Sequence, residues 1–188
     1  MKRIGILGDI GSGKTYIAKC FGFPVFNADL EVAKIYKYNR KVFQKLKKEL
    51  PNYFDSFPVK KKEIINAILS NRKNLKRIIK IVHREVRKKM NDFLRKNKHK
   101  KLVVLDIPLL LENKINKKKD ILIFVESKKS EILKRLKKRK NFNMKILNNF
   151  KRTQLSLVLK KKKSQFIIKN NFKNSVKVRV KEIMKNLV

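Results

Sequence analysis

The 188-residue sequence holds one cysteine, Cys20, so no disulfide can form within the chain and a reducing compartment is expected. With no His or acidic partner near it in sequence, Cys20 reads as a small buried hydrophobe on a helix. No run approaches the roughly 18 to 20 apolar residues that a membrane-spanning helix needs, so a soluble chain is expected. The basic, briefly apolar start from Met1 to Gly8 is broken by Asp9 and Lys14 before a signal-peptide core is complete, and a cytoplasmic location is expected. Acidic residues are scarce, 14 against 53 Lys plus Arg, for a formal charge of +39. That imbalance ordinarily points to a polyanionic partner. Yet there is no ribonucleoprotein or zinc-finger signature and no single basic stripe interleaved with aromatics. Lysines instead run through every segment, as in Lys60-Lys61-Lys62 and Lys160-Lys161-Lys162-Lys163, beside frequent Asn and Ile, which fits an AT-rich coding bias. No specific nucleic-acid partner is expected, although the field should attract anionic substrates and weaken with salt. Internal repeats and flexible linkers are also lacking. One domain over 1–188 is expected, large enough to bury roughly 70% of its unfolded surface.

Glycine is rare too, and four of the five glycines, Gly5, Gly8, Gly11 and Gly13, fall in the first 13 residues. Around them the pattern reads strand (Lys2 to Leu7), glycine-rich turn, helix (Lys14 to Phe21), then a short strand at Val25-Phe26 and a helix from Ala28, with Asp29 at the junction. From Arg40 to Lys100 the spacing of Val42, Leu46, Ile64, Ile68, Leu75, Ile78, Val82 and Val86 predicts a basic helical segment with a loop at Pro51 to Pro58. Leu102 to Leu105 is an uninterrupted apolar run ending in Asp106, the mark of a buried parallel strand that delivers a carboxylate at its C-terminal edge. Ile121 to Val125 and Phe166 to Ile168 are further strands, and Val176, Val180, Ile183 and Leu187 mark a final helix. Strands alternating with helices predict a parallel sheet covered on both faces.

Gly8-Asp9-Ile10-Gly11-Ser12-Gly13-Lys14-Thr15 matches G-x-x-x-x-G-K-[ST] in full, between a strand and a helix as that pattern requires. Glycines let backbone N–H groups turn toward phosphate oxygens, Lys14 supplies a cation for the β and γ phosphates, and Thr15 can place a hydroxyl on Mg²⁺. Asp106 could reach Mg²⁺ or contact an acceptor from the sheet edge, or form a turn. Asn113-Lys114-Ile115-Asn116 lacks the Asp of the N-K-x-D sequence that a GTPase uses to read its base. A short chain with a basic, lid-like segment favours a small-molecule kinase.

Ile10-Gly11-Ser12-Gly13-Lys14, Asn27-Ala28-Asp29, Ile81-Val82-His83 and Leu105-Asp106-Ile107-Pro108-Leu109-Leu110-Leu111-Glu112 resemble, in order and spacing, the dephospho-CoA kinase family, and the resemblance runs from Ile4 through Asn170. It implies an ATP- and Mg²⁺-dependent enzyme that phosphorylates the ribose 3′-hydroxyl of dephospho-CoA, the last step of coenzyme A synthesis. The implied fold is a three-layer α/β P-loop domain with a parallel sheet of about five strands, a helical acceptor-binding insertion at 40–100 and a lid at 135–152; a monomer is expected. Asp29 would orient the acceptor hydroxyl or accept its proton, although Asp also caps helices. Lys14 and Arg139 would stabilise transferring charge. Gly8, Gly11, Ser12, Gly13, Lys14, Thr15, Tyr16, Arg135, Arg139 and Asn170 would hold the nucleotide, and Asp29, His83, Arg87, Asp106, Pro108, Leu109 and Leu110 the acceptor, with Thr15 and Asp106 on the metal. Arg135 and Arg139, four apart, should share a helix face. Arg152, Gln154 and Lys160 resemble later family positions. Departures from the family pattern are Asp9 for Gly, Tyr16 for Thr, Arg84 for Pro, Ile132 for Gln, and Ser164-Gln165 for Ala-Asp. The Asp9 side chain is expected to point out of the cradle, because a carboxylate near phosphates is unfavourable. The alternatives are a kinase of another small acceptor, such as a nucleoside monophosphate, which the Asp106 to Glu112 string disfavours, and a non-catalytic RNA-associated P-loop protein using the +39 charge.

Overall fold

Short runs of Ile, Leu and Val separated by amphipathic segments set the order of elements. The computed structural model describes residues 1–139 and 142–187. In chain order these form β1 (Lys2–Gly8), α1 (Lys14–Cys20), β2 (Val25–Asn27), α2 (Ala28–Tyr38), α3 (Arg40–Glu49), α4 (Lys61–Ser70), α5 (Arg72–Lys96), β3 (Leu102–Asp106), β4 (Ile121–Glu126), α6 (Lys129–Lys137), α7 (Met144–Lys151), α8 (Leu157–Lys162), β5 (Phe166–Lys169) and α9 (Lys177–Lys185). As far as they are described, Met1–Asn27, Lys96–Phe142 and Thr153–Val188 make one compact unit, and Ala28–Arg95 with Asn143–Arg152 make a second.

The first unit carries the expected five-stranded sheet, wholly parallel, in the order β2-β3-β1-β4-β5. The middles of its strands are apolar because both faces are covered. On one face Ile4, Ile6, Val104, Ile123, Val125 and Ile168 form a core with Ile17 and Phe21 from α1 and its C-terminal cap and with Val180 and Ile183 of α9. The opposite face meets α8 and the turn after β3. Gly5 is required there: a Cβ would stand 2.4 Å from Leu110 Cδ2 and 2.9 Å from Leu122 Cδ2. The chain moves from β1 outward to β2, back to β3, and then to β4 on the other side, so the order reverses at the C-terminal end of β1. In open parallel sheets ligands bind at such a switch point.

The second unit is helical. Buried residues recur at helical spacing, Val42 and Leu46 on α3, and Leu75, Ile78, Val82, Val86 and Met90 on α5. Asn39 caps α3 by accepting the Val42 N–H at 3.0 Å. The loop bearing Pro51 and Pro58 buries Phe54 completely. This unit begins at Ala28, ahead of the segment from Arg40 marked by its basic periodicity, and it also takes in α7. Two residues of the expected lid, Lys140 and Asn141, lie outside the described residues. No helix among the described residues is long and apolar enough to cross a membrane.

Candidate active site

The turn between β1 and α1 is built on glycines in conformations other residues avoid: φ is 144° at Gly8, 87° at Gly11 and 93° at Gly13. At Gly13 space is restrictive as well, since a Cβ would lie 2.5 Å from Asn170 Nδ2. The Lys14 ammonium is buried inside the turn, donating to the carbonyls of Asp9 at 2.7 Å and Gly8 at 3.2 Å. The N–H groups of Lys14, Thr15 and Tyr16 precede the first intrahelical bond of α1, from Ile17 to the Gly13 carbonyl at 3.1 Å. The amides that open α1 and one buried cation thus meet at the switch point.

Beside it, the Thr15 hydroxyl donates to Asp106 Oδ2 at 2.6 Å, and Asn27 Nδ2 donates to the same oxygen at 2.7 Å. The sheet register produces this meeting, because Asn27 and Asp106 end β2 and β3 as direct partners. Asp106 is only 3% exposed. Burial raises its carboxyl above the ordinary value, while the Thr15 hydrogen bond, the Lys14 charge and the Asn27 amide pull the other way. A hydroxyl and a carboxylate side by side form an oxygen-only pair suited to a hard divalent cation that keeps waters and phosphate oxygens as its other ligands. Among the described residues no three His, Cys, Asp or Glu cluster as a metal cage, so such an ion would depend on a bound phosphate.

Several expected residues take other positions. Ser12 is fully buried; its hydroxyl has no partner among the described residues, and its N–H donates to the Asp9 carbonyl at 3.2 Å. Its place in the loop is thus fixed through its backbone. Asp9 is 8% exposed, so its carboxylate is sheltered from solvent, and its Oδ1 accepts the Ile10 N–H at 2.7 Å. Leu110 is 0% exposed with its methyl against Gly5, so it belongs to the core and not to an acceptor surface, unlike the half-exposed Pro108 and Leu109. Arg139 does not share a helix face with Arg135, because α6 ends at Lys137 and the chain turns, with the Arg139 N–H on the Leu136 carbonyl. Asn170 turns its amide onto the loop, donating to the Ser12 carbonyl at 2.9 Å while its Oδ1 accepts the Phe172 N–H at 3.1 Å. Tyr16 is exposed on α1, and the neighbouring Cys20 raises its phenol above the ordinary value, by charge first and hydrogen bonding second. Cys20 itself is half-buried and not fully enclosed.

In the second unit, Asp29 is the exposed second residue of α2, already past the cap position. His83 and Arg87 stand one turn apart on α5, the first half-buried and the second exposed.

Sequence reasoning missed three supports. Asn27 steadies Asp106, and only the pairing of β2 with β3 brings the two together. Ser127 donates to the Ser12 carbonyl at 3.2 Å. The Phe172 ring lies under the Arg135 guanidinium, 4.4 Å from the centroid, and nothing in the local sequence announced it.

Comparison with known proteins agrees with this geometry. The family model described as dephospho-CoA kinase matches residues 2–175. A curated dephospho-CoA kinase of Wolbachia pipientis wMel is 33% identical over 190 residues, spanning 98% of this chain and 97% of the relative. A crystal structure from Thermus thermophilus superposes with a TM-score of 0.78 at 24% identity, covering 100% of this chain and 98% of the other. A dephospho-CoA kinase structure from Campylobacter jejuni gives 0.64 at 21%, covering 99% and 97%. These two likenesses show the fold.

Proposed function

The chain belongs to the dephospho-CoA kinase family, and from that premise we propose that it transfers the γ-phosphoryl group of ATP to the ribose 3′-hydroxyl of dephospho-CoA, giving coenzyme A and ADP as the last step of coenzyme A synthesis. The observation that carries this reading is the meeting of Thr15, Asp106 and Asn27 beside the Lys14 loop at the switch point of the sheet. The family match disfavours both a nucleoside monophosphate acceptor and a non-catalytic RNA-associated role.

In this reading the triphosphate takes the place of the Gly8 and Asp9 carbonyls as acceptor for the Lys14 ammonium, and the amides opening α1 add their donors. Thr15 and Asp106 would hold Mg²⁺, which when bound neutralises phosphate charge. The acceptor 3′-oxygen forms a bond to the γ-phosphorus as the bond to the ADP oxygen breaks, and the hydroxyl proton passes to the Asp29 carboxylate. Lys14 and Arg139 stabilise the charge that develops on the transferring group, and Arg135 contributes at the nucleotide. Pro108, Leu109, His83 and Arg87 are assigned to the acceptor. The single cysteine fits a reducing compartment, and we assign a cytoplasmic monomer with no specific nucleic-acid partner.

The deciding experiment supplies ATP and Mg²⁺ with either dephospho-CoA or a nucleoside monophosphate, and identifies products by mass. Coenzyme A formed in step with ADP is expected. Phosphorylation of the monophosphate alone would overturn the acceptor assignment.

A further inference from the structure

Two sequence features remain without a task in this chemistry: Glu112, which closes the string from Asp106, and the pair Gln154 and Lys160 farther along. The fold brings all three together inside the first unit. Lys160 is 1% exposed, and its ammonium sits 2.8 Å from Glu112 Oε1 and 3.1 Å from Gln154 Oε1. The same Glu112 oxygen accepts the Leu155 N–H at 2.9 Å. Glu112 Oε2 is buried with no partner among the described residues.

A buried ion pair is poor evidence of stability, since apolar residues of equal volume commonly hold a core as well or better. What the charged pair has and an apolar pair lacks is direction. One ammonium and one carboxylate oxygen join three segments: the turn after β3, residues 153–155, and α8, whose own packing is against β1. The turn is held at its start by Asp106 in the sheet and in its middle by Leu110 against Gly5. Glu112 fixes its far end, and between these points stand the half-exposed Pro108 and Leu109. Residues 153–155 are where the chain re-enters the first unit after α7.

We propose that Glu112 and Lys160 are positioning residues: their buried contact sets the presentation of the Pro108–Leu109 turn to the acceptor and anchors the segment that returns from α7. The part concerning the acceptor rests on the kinase reading above. The phosphate loop makes no use of the pair, so donor binding should be insensitive to it.

The test compares four full-length variants by melting temperature, by acceptor and ATP KM, and by backbone hydrogen exchange across 107–116 and 153–155 without substrate. Lys160→Met alone strands a buried carboxylate and should lose stability. The pair Glu112→Leu with Lys160→Met should recover the parent melting temperature, yet exchange faster in both segments and raise acceptor KM about tenfold while ATP KM moves less than about twofold. Glu112→Gln keeps an oxygen for Lys160 and Leu155 but leaves the buried ammonium without its countercharge, so it too should lose stability while holding both segments closer to parent exchange than the double variant does. Gln154→Leu removes one acceptor only and should shift exchange and acceptor KM in the same direction by about twofold to threefold. Parent exchange and parent acceptor KM in a stable double variant would overturn the proposal; if that variant does not fold, the same result in Gln154→Leu does so. Exchange is read without turnover, so failure of the kinase reading, seen as no coenzyme A from the parent enzyme, is distinguishable from failure of the pair.

Discussion

The Asn170 side-chain amide donates to the Ser12 carbonyl at 2.9 Å, so the residue that follows β5 braces the phosphate loop. Its other end is engaged by the Phe172 N–H. A residue expected at the nucleotide thus has both ends of its amide engaged within the protein.

Asn170→Ala should therefore weaken every nucleoside triphosphate alike. Loss of one buried hydrogen bond that shapes the loop predicts a rise of about tenfold in KM for both ATP and GTP, with their ratio unchanged. Steady-state kinetics with the two donors decides this. A loss confined to ATP would place Asn170 at the base instead.

The other side of that contact is Gly13. Gly13→Ala places a Cβ 2.5 Å from the Asn170 amide at a φ of 93°. Strain of about 1–3 kcal/mol should lower the melting temperature by roughly 3 to 10 °C and raise the KM for ATP, measured by calorimetry and kinetics. An unchanged melting temperature would show that the turn relaxes freely.

Asp106 should show stability and activity moving in opposite directions. Burial raises its carboxyl above the ordinary value, so the ionised form is what folding disfavours, and Asp106's contribution declines as pH rises from the unfolded value toward the folded one. Asp106→Asn keeps an oxygen for Thr15 and Asn27 and removes the buried charge. At neutral pH the variant should melt no lower than the parent while needing about tenfold more Mg²⁺ for half-maximal rate. A lower melting temperature with unaltered Mg²⁺ dependence would remove Asp106 from the metal.

The strands were legible because a parallel sheet covered on both faces demands unbroken apolar runs, and Leu102 to Leu105 and Ile121 to Val125 have no competing periodicity. The loop was legible because its glycines and Lys14 act through backbone and local geometry. What was not legible depends on distant partners. Nothing local ends α6 at Lys137, since Lys138 and Arg139 are good helix formers, so the shared face of Arg135 and Arg139 was a reasonable expectation that the turn at Leu136 removes. Leu110 alone reads as acceptor wall or as core, and only the space that Gly5 leaves decides for the core. The engagement of Asn170 requires a carbonyl 158 residues away. The charge of Asp9 says nothing of the neighbouring Ile10 N–H that its carboxylate accepts, nor of the shelter it finds.

Asp29 permits a separation of catalysis from helix capping. As the second residue of α2 it can interact with the positive end of that helix, an effect worth about 0.3–1 kcal/mol, but it does not stand at the cap. Asp29→Asn preserves shape and removes the basic oxygen. If the carboxylate accepts the hydroxyl proton, kcat should fall about 10² to 10⁴-fold while the melting temperature drops by no more than about 4 °C. If the residue serves only the helix, the rate should follow the small change in stability and nothing more. A variant with near-parent kcat and a measurably lower melting temperature would assign Asp29 to α2 and leave proton transfer to another group, whereas a stable, slow variant that still binds ATP with parent affinity would fix the carboxylate at the acceptor.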